Sequence, residues 1–345
     1  MAVDVVACER QFIDHAAPVW HALPDAVRGR FLTEAHLLEH AARHAIEAEA
    51  IDPRTIRSGR PPRANPGLGP QAFVVSVGDT KVARRLGYRR FAFMEHGAGQ
   101  AYLGGRGIAH PSYPGGADRE DTEVFLVPNE YAADLWRRAY PAATVRVIGS
   151  PRLDVLPARE PGPAPVVAVS FHWPSFVAPE AGNALGHYLG VLPNLAKRFR
   201  VIGHCHPKGD WPQRMARIYR RAGIEFVADF DEVCRRADLY ACDNSSTLFE
   251  FAATGRPVVV LNAPHFRRHV DHGGRFWDWA RVGLQVDDPQ HLATTIENSL
   301  KPSHADELRR RRERVLDLVY AHRTGAAARA AAAIASWAGA LAEVA

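Results

Sequence analysis

Four loops of this chain gather the residue types that proton transfer and phosphate binding require. The first is Met94-Glu95-His96-Gly97-Ala98-Gly99-Gln100-Ala101-Tyr102, with further glycines at Gly104, Gly105 and Gly107. Glycines at such a place let the backbone approach a ligand closely, and His96 can take a proton from an acceptor hydroxyl near neutral pH. The plainer alternative is a histidine that caps a turn. The run is not the G-x-G-x-x-G of dinucleotide binding, because Tyr102 stands at its last position.

The second loop is Gly203-His204-Cys205-His206-Pro207-Lys208-Gly209-Asp210, ahead of a helix expected near Trp211. Imidazole and ammonium donors beside a helix N-terminus suit a diphosphate. The H-C-H triplet also offers soft metal ligands, but no partner pair at zinc spacing occurs elsewhere, so no metal is expected. The third loop runs from Asp238 through Asp243, Ser245, Ser246 and Thr247 to Glu250. Its hydroxyls and free N–H groups can meet donor phosphates and Glu250 can accept from ribose hydroxyls, or the whole run is ordinary helix capping. The fourth, Val147-Ile148-Gly149-Ser150-Pro151-Arg152-Leu153-Asp154, places Arg152 at a domain junction, either toward a phosphate or exposed on a hinge turn.

Other candidates are weaker. His36, His40 and His44 recur at i, i+4 and i+8 and share a helix face; without an H-E-x-x-H pattern this reads as a surface stripe, the alternative being a metal site. Asp229-Phe230-Asp231 reads as a helix cap. Neither a Walker A sequence nor a G-x-S-x-G elbow occurs, which excludes P-loop NTPases and α/β-hydrolases.

Short β-branched runs alternate with stretches of helical period, the pattern of α/β units around parallel sheets. Strands are expected over 3–7, 73–77, 91–94, 124–127 and 145–148, with helices over 14–23, 35–48, 80–86 and 130–139. Five prolines between Pro151 and Pro165 then interrupt the pattern. It restarts with strands over 166–170, 199–203, 225–227, 239–242 and 257–261 and helices over 181–197, 211–222, 232–236 and 246–253. The tail from Asp306 is helical in period apart from a break near Thr324 and Gly325. Ser58 to Pro70 reads as a mobile loop. The expected domains are 1–157 on the acceptor side, 158–322 binding the donor nucleotide, and a C-terminal helix over 323–345. In such folds ligands bind outside the carboxyl ends of the strands, which is where the four loops sit.

A chain of 345 residues with 47% hydrophobic and 23% charged residues is a folded protein rather than a disordered or fibrous one. Its 43 basic against 38 acidic residues leave +5, carried mostly by Arg, which suits anionic ligands. The run Arg309 to Arg314 reads as a solvated helix face, with phosphate or membrane-surface contact as the alternative. Four scattered cysteines, no apolar run long enough to span a bilayer and no secretory pattern point to a cytoplasmic protein with reduced thiols, peripheral contact at the inner membrane face being compatible with the basic tail. Without interleaved aromatics, nucleic acid is not an expected partner.

Taken in order, EHGAGQ, VIGSPRLD, HCHPKGD and ADLYACDNSSTLFEFAATGRPVVVLNAP resemble the CDP-glycerol glycerophosphotransferases of teichoic-acid synthesis. The resemblance implies a GT-B fold, an α/β architecture of two facing Rossmann-like domains with a central cleft. It implies His96 as the acceptor-side base and His206 beside the donor diphosphate, both catalytic. It further implies donor contacts from Arg152, Asp243, Ser245, Ser246, Thr247 and Glu250, with Gly97, Gly99 and Lys208 as accessories. The implied partners are a CDP- or UDP-linked donor, with no separate cofactor, and a hydroxyl acceptor that is lipid-linked or polymeric. The last piece also resembles nucleotide-sugar glycosyltransferases and UDP-N-acetylglucosamine 2-epimerases. The expected activity is thus metal-independent transfer of a polyol phosphate, the alternatives being glycosyl transfer, epimerisation, or nucleotide binding without catalysis.

Overall fold

The computed structural model describes residues 1–52, 73–77, 80–98, 119, 121–174, 183–265 and 280–340. Gly99 and the Ser58 to Pro70 segment lie outside the described residues. Among the described residues the chain divides into two compact units. The first takes those up to Ala98, those from 119 to Val155 and those from Tyr320 onward; the second runs from Leu156 to Val319.

The first unit is built on a parallel sheet of β1 (Val3–Val6), β2 (Arg28–Glu34), β3 (Ala48–Ile51), β4 (Phe73–Val77), β5 (Arg90–Met94), β6 (Thr122–Val127) and β7 (Thr144–Val147), in the order β3-β2-β1-β4-β5-β6-β7. Its helices include α1 (Arg10–Ala22), α2 (Leu38–Arg43), α3 (Lys81–Arg85) and α4 (Glu130–Ala139). The VDVV of β1 is buried throughout, as a strand covered by helices on both faces must be. Sequence order reverses between β1 and β4, the switch point at which this architecture opens a crevice.

The second unit repeats the plan with β8 (Val166–Phe171), β9 (Arg200–Cys205), β10 (Glu225–Phe226), β11 (Leu239–Cys242), β12 (Val258–Leu261) and β13 (Leu284–Val286), in the order β10-β9-β8-β11-β12-β13, all parallel. Its helices include α5 (Leu185–Tyr188), α6 (Leu192–Arg198), α7 (Trp211–Arg221), α8 (Phe230–Arg236), α9 (Thr247–Ala253), α10 (Leu292–Leu300) and α11 (Ala305–Val319). Here the reversal lies between β8 and β11. Gly203 in β9 has no substitute: a Cβ would run into the ring of Tyr219 from α7. That close approach lets the Tyr219 hydroxyl reach two backbone carbonyls, Val169 at 2.8 Å and His204 at 3.0 Å.

α12 (Ala326–Ala340) returns the chain to the first unit, where it packs on α1. The Asp154 carboxylate accepts from the N–H of Ala327 at 2.8 Å, at the start of that helix, and Trp337 donates its indole N–H to Glu123 at 2.9 Å. This C-terminal helix is part of the first unit's core, with Ala330, Ile334 and Ala338 fully buried. Within the basic run, Arg309, Arg310 and Arg314 are exposed, Arg309 and Arg311 pair with Asp306 and Glu307 one turn back, and Arg312 is buried. It is mainly a solvated face. No described helix is long and apolar enough to cross a membrane.

Candidate functional site

The carboxyl ends of both sheets carry titratable side chains. In the second unit, β8 runs straight into His172 and Trp173, β9 into His206, and β11 into Asp243. Asp243 is fully buried, and its carboxylate accepts from the N–H of His172 at 2.8 Å and from that of Ala184 at 2.9 Å. Burial pushes this carboxyl up to about 7 against those backbone N–H groups. Its contacts are with the backbone, so it fixes where the chain leaves β8.

The His172 ring lies 4.9 Å from that of His206, at 64°. Burial lowers His172 to about 4, so it is neutral at pH 7. Its Nδ1 is 2.9 Å from the Trp173 carbonyl, which can only accept; the proton therefore sits on Nδ1 and the lone pair on Nε2. Trp173 lies 6.1 Å from His206 and takes the Lys208 ammonium over its face at 5.9 Å. His206, Trp173 and Lys208 are half-buried. The arrangement joins a cation, an aromatic face and two imidazoles, the set that an anionic, ring-bearing ligand needs. The Trp211 indole, donating to the Phe171 carbonyl at 3.3 Å, ties the start of α7 to the end of β8 and so sets the spacing of the two histidine loops. His204 points the other way, its Nδ1 2.9 Å from the Val227 carbonyl, and burial lowers its pKa.

Ser245, Ser246 and Thr247 lead into α9. Thr247 Oγ1 lies 2.9 Å from both the Ser245 and the Tyr240 hydroxyls, linking the two. Ser246 is half-buried and makes no side-chain cap bond. The capping alternative is thus weakly met, by Ser245 alone, whose Oγ accepts from the Thr247 N–H at 3.4 Å. Glu250 is 3% exposed within α9, and its charge acts on His204. Arg256, just after α9, donates to the carbonyls of Cys234 at 2.5 Å and Ala237 at 2.6 Å, holding the end of α8. Asp229 caps α8, accepting from the Asp231 N–H at 2.8 Å, so the D-x-D is a cap.

In the first unit, β5 ends in Glu95 and His96. The His96 ring meets Phe12 edge-on at 4.4 Å and lies 6.4 Å from the buried His15. Gly97 has φ +73°, which favours glycine, and donates its N–H to His15 Nε2 at 3.3 Å. His15, from α1, thereby holds the turn that presents His96. Burial pushes Glu95 up to about 7, against a 2.6 Å hydrogen bond from the Trp136 indole and the charge of Arg119. The Glu95 carboxyl turns to Trp136, which packs on Phe93 and Phe125, whereas His96 turns to Phe12 of α1.

Arg152 is 3% exposed and sits in the short helix Pro151–Val155 against α1. Its charge acts on Asp14. Burial raises the Asp14 carboxyl, but hydrogen bonds from His40 and His44 together with Arg152 outweigh burial and hold it well below the carboxylate range. The structure gives Arg152 this inward setting rather than an open position on a hinge. The histidine stripe is corrected likewise: α2 starts only at Leu38, so His36 lies outside it, beside Glu34, while His40 and His44 turn in to Asp14.

Sequence reasoning missed His15, His172 and Trp173. His172 and Trp173 follow a strand directly, so the rule that singled out His206 also finds them. His15 carries no local signal, since its partner Gly97 is 82 residues away.

No family model matches the chain, and no curated protein matches it in sequence. Solved structures do. The UDP-GlcNAc 2-epimerase of Neisseria meningitidis bound to UDP-GlcNAc is 13% identical at a TM-score of 0.54, covering 97% of this chain and 99% of its own. The wall teichoic acid polymerase TagF soaked with CDPG is 12% identical at 0.63, covering 99% and 90%. The MurG of Acinetobacter baumannii is 15% identical at 0.50, covering 97% and 99%. At such identities the likeness shows the fold, which is α/β of the GT-B type.

Proposed function

We propose that this chain is a transferase that moves glycerophosphate, or a related polyol phosphate, from a CDP-linked donor to an acceptor hydroxyl in cell-surface polymer synthesis. The observation that carries the reading is the His172, Trp173, His206 and Lys208 cluster at the carboxyl end of the second unit's sheet, beside its switch point. Lys208 and a ring N–H of His206 meet the diphosphate, Trp173 offers a face to the base or ribose, and the half-buried Ser246 adds a hydroxyl. Glu250 is buried in α9, and Ser245 and Thr247 shape the turn ahead of that helix.

In the reaction, the acceptor oxygen forms a bond to the donor β-phosphorus, and the bond from that phosphorus to the bridging oxygen breaks. The electron pair leaves with the nucleoside monophosphate, whose charge His206 and Lys208 stabilise. The hydroxyl proton passes to His96, which His15 and Gly97 orient. No step in this scheme is routed through a metal ion.

A second reading, a nucleotide-sugar enzyme that transfers or epimerises a sugar, is supported by the likeness to the UDP-GlcNAc-bound epimerase. Incubation with CDP-glycerol or UDP-GlcNAc and mass analysis of products tests both. Release of CMP with an acceptor heavier by glycerophosphate supports transfer; release of UDP, or an epimerised sugar, replaces it with the second reading.

A further inference from the structure

α1 and α2 bring three ligand-type side chains together. His40 and His44, one turn apart, direct their Nε2 atoms at the same oxygen of Asp14, Oδ1, at 2.7 and 2.9 Å. The three candidate ligand atoms all lie within 4.8 Å of one another. The side chains are only 15%, 19% and 21% exposed, so they are converged by packing rather than splayed on the surface. Their rings cross at 76° with centroids 5.2 Å apart.

We infer that Asp14, His40 and His44 form a binding site for a first-row divalent metal ion of the zinc class, which clamps α2 onto α1. Two imidazoles and one carboxylate are the donor set of such ions, whereas calcium and magnesium call for oxygen ligands. His40 in α2 and His44 at its C-terminal cap, four residues apart, present their nitrogens to one point, and Asp14 supplies the third donor from α1. The present separations are about half an ångström or more tighter than tetrahedral neighbours on a metal at about 2.0–2.2 Å require. Modest outward movement of Asp14 therefore admits the ion. The clamp has a structural purpose: α2 is six residues long, and Ala45 just beyond it has φ +55°. A helix so short is not stable on its own. Arg152 faces the same carboxylate, keeping the site cationic once filled and limiting its affinity. The site belongs to the first unit and takes no part in the proposed transfer, so its fate is independent of that reading.

The test uses the full chain, stripped with chelator and titrated with Co2+ as a spectroscopic probe and with Zn2+ in competition. The expected result is one Co2+ per chain with visible d–d absorption that Zn2+ abolishes, and a rise in melting temperature with either ion. D14N keeps an oxygen that accepts from both imidazoles but lacks the charge; it and H40Q should each weaken binding at least tenfold while remaining folded by circular dichroism. H36Q, outside the cluster, should bind as the parent does. Absence of Co2+ absorption in the parent overturns the inference, as does unchanged binding in D14N and H40Q, which would assign the ion to other histidines or thiols.

Discussion

The Asp243 carboxylate holds the backbone N–H of His172 at 2.8 Å, joining the loop after β11 to the loop after β8 across the point where strand order reverses. Its other oxygen holds Ala184. Through this bond a residue with no outward-facing atom sets the position of a histidine that touches the candidate donor site. In D243N one oxygen becomes an amide donor facing a backbone donor. The expected loss is about 1–3 kcal/mol of stability, together with weaker nucleotide binding. Chemical denaturation and calorimetric titration read the two effects, and an unchanged variant would remove Asp243 from the account.

His96 and His206 should separate in their effects. H96A should lower turnover by about 10²–10⁴-fold while leaving nucleotide binding intact, as loss of a general base does. H206A should weaken nucleotide binding as well as turnover. Steady-state kinetics alongside binding measurements distinguish them, and a fully active H96A would end its role as base.

Glu95 makes stability depend on pH. Its folded pKa, about 7, lies above the ordinary 4.5, so the folded state holds its proton where the unfolded chain has released it. Stability therefore falls as pH rises from about 4.5 to 7, by about 1.4 kcal/mol for each pH unit between the two values. E95Q retains an oxygen for the Trp136 indole and has no proton to lose. Melting curves across this range should show E95Q gaining on the parent as pH rises; parallel curves would contradict the raised pKa.

Gly203 and Asp154 test the packing that positions the sites. G203A drives a methyl into the Tyr219 ring and should cost about 1–3 kcal/mol. D154A removes the acceptor at the start of α12 and should cost about 0.5–2 kcal/mol. Urea denaturation measures both, and an unaffected D154A would show that burial alone holds α12.

What the sequence disclosed follows from how local each signal is. The all-buried strands β1, β8 and β12 are valine-rich runs, legible without context. β2 and β3 were hidden because they lie toward the sheet's edge: β2 carries Arg28 and Arg30, the latter paired with Asp4 of β1, and β3 reads AEAI. β13, only three residues long, was missed for the same reason. The helix expected over 181–197 is, among the described residues, two short helices, α5 and α6, separated at Gly190. Of the candidate site, His206 was legible from its place after a strand. The burial of Arg152, the inward turn of His40 and His44, and the support of His96 by His15 depend on contacts across the fold, which spacing does not encode.

The central claim is that the second unit holds a nucleotide diphosphate through His206 and Lys208. The most direct measurement is thermal stability of the parent and of an H206A/K208A variant against CDP-glycerol, CDP, UDP and UDP-GlcNAc. The account predicts that CDP ligands stabilise the parent, by about 2.7 kcal/mol at a hundred times the dissociation constant, and that the variant loses the response. Silence of the parent across the panel, or an equal response in the variant, would contradict it.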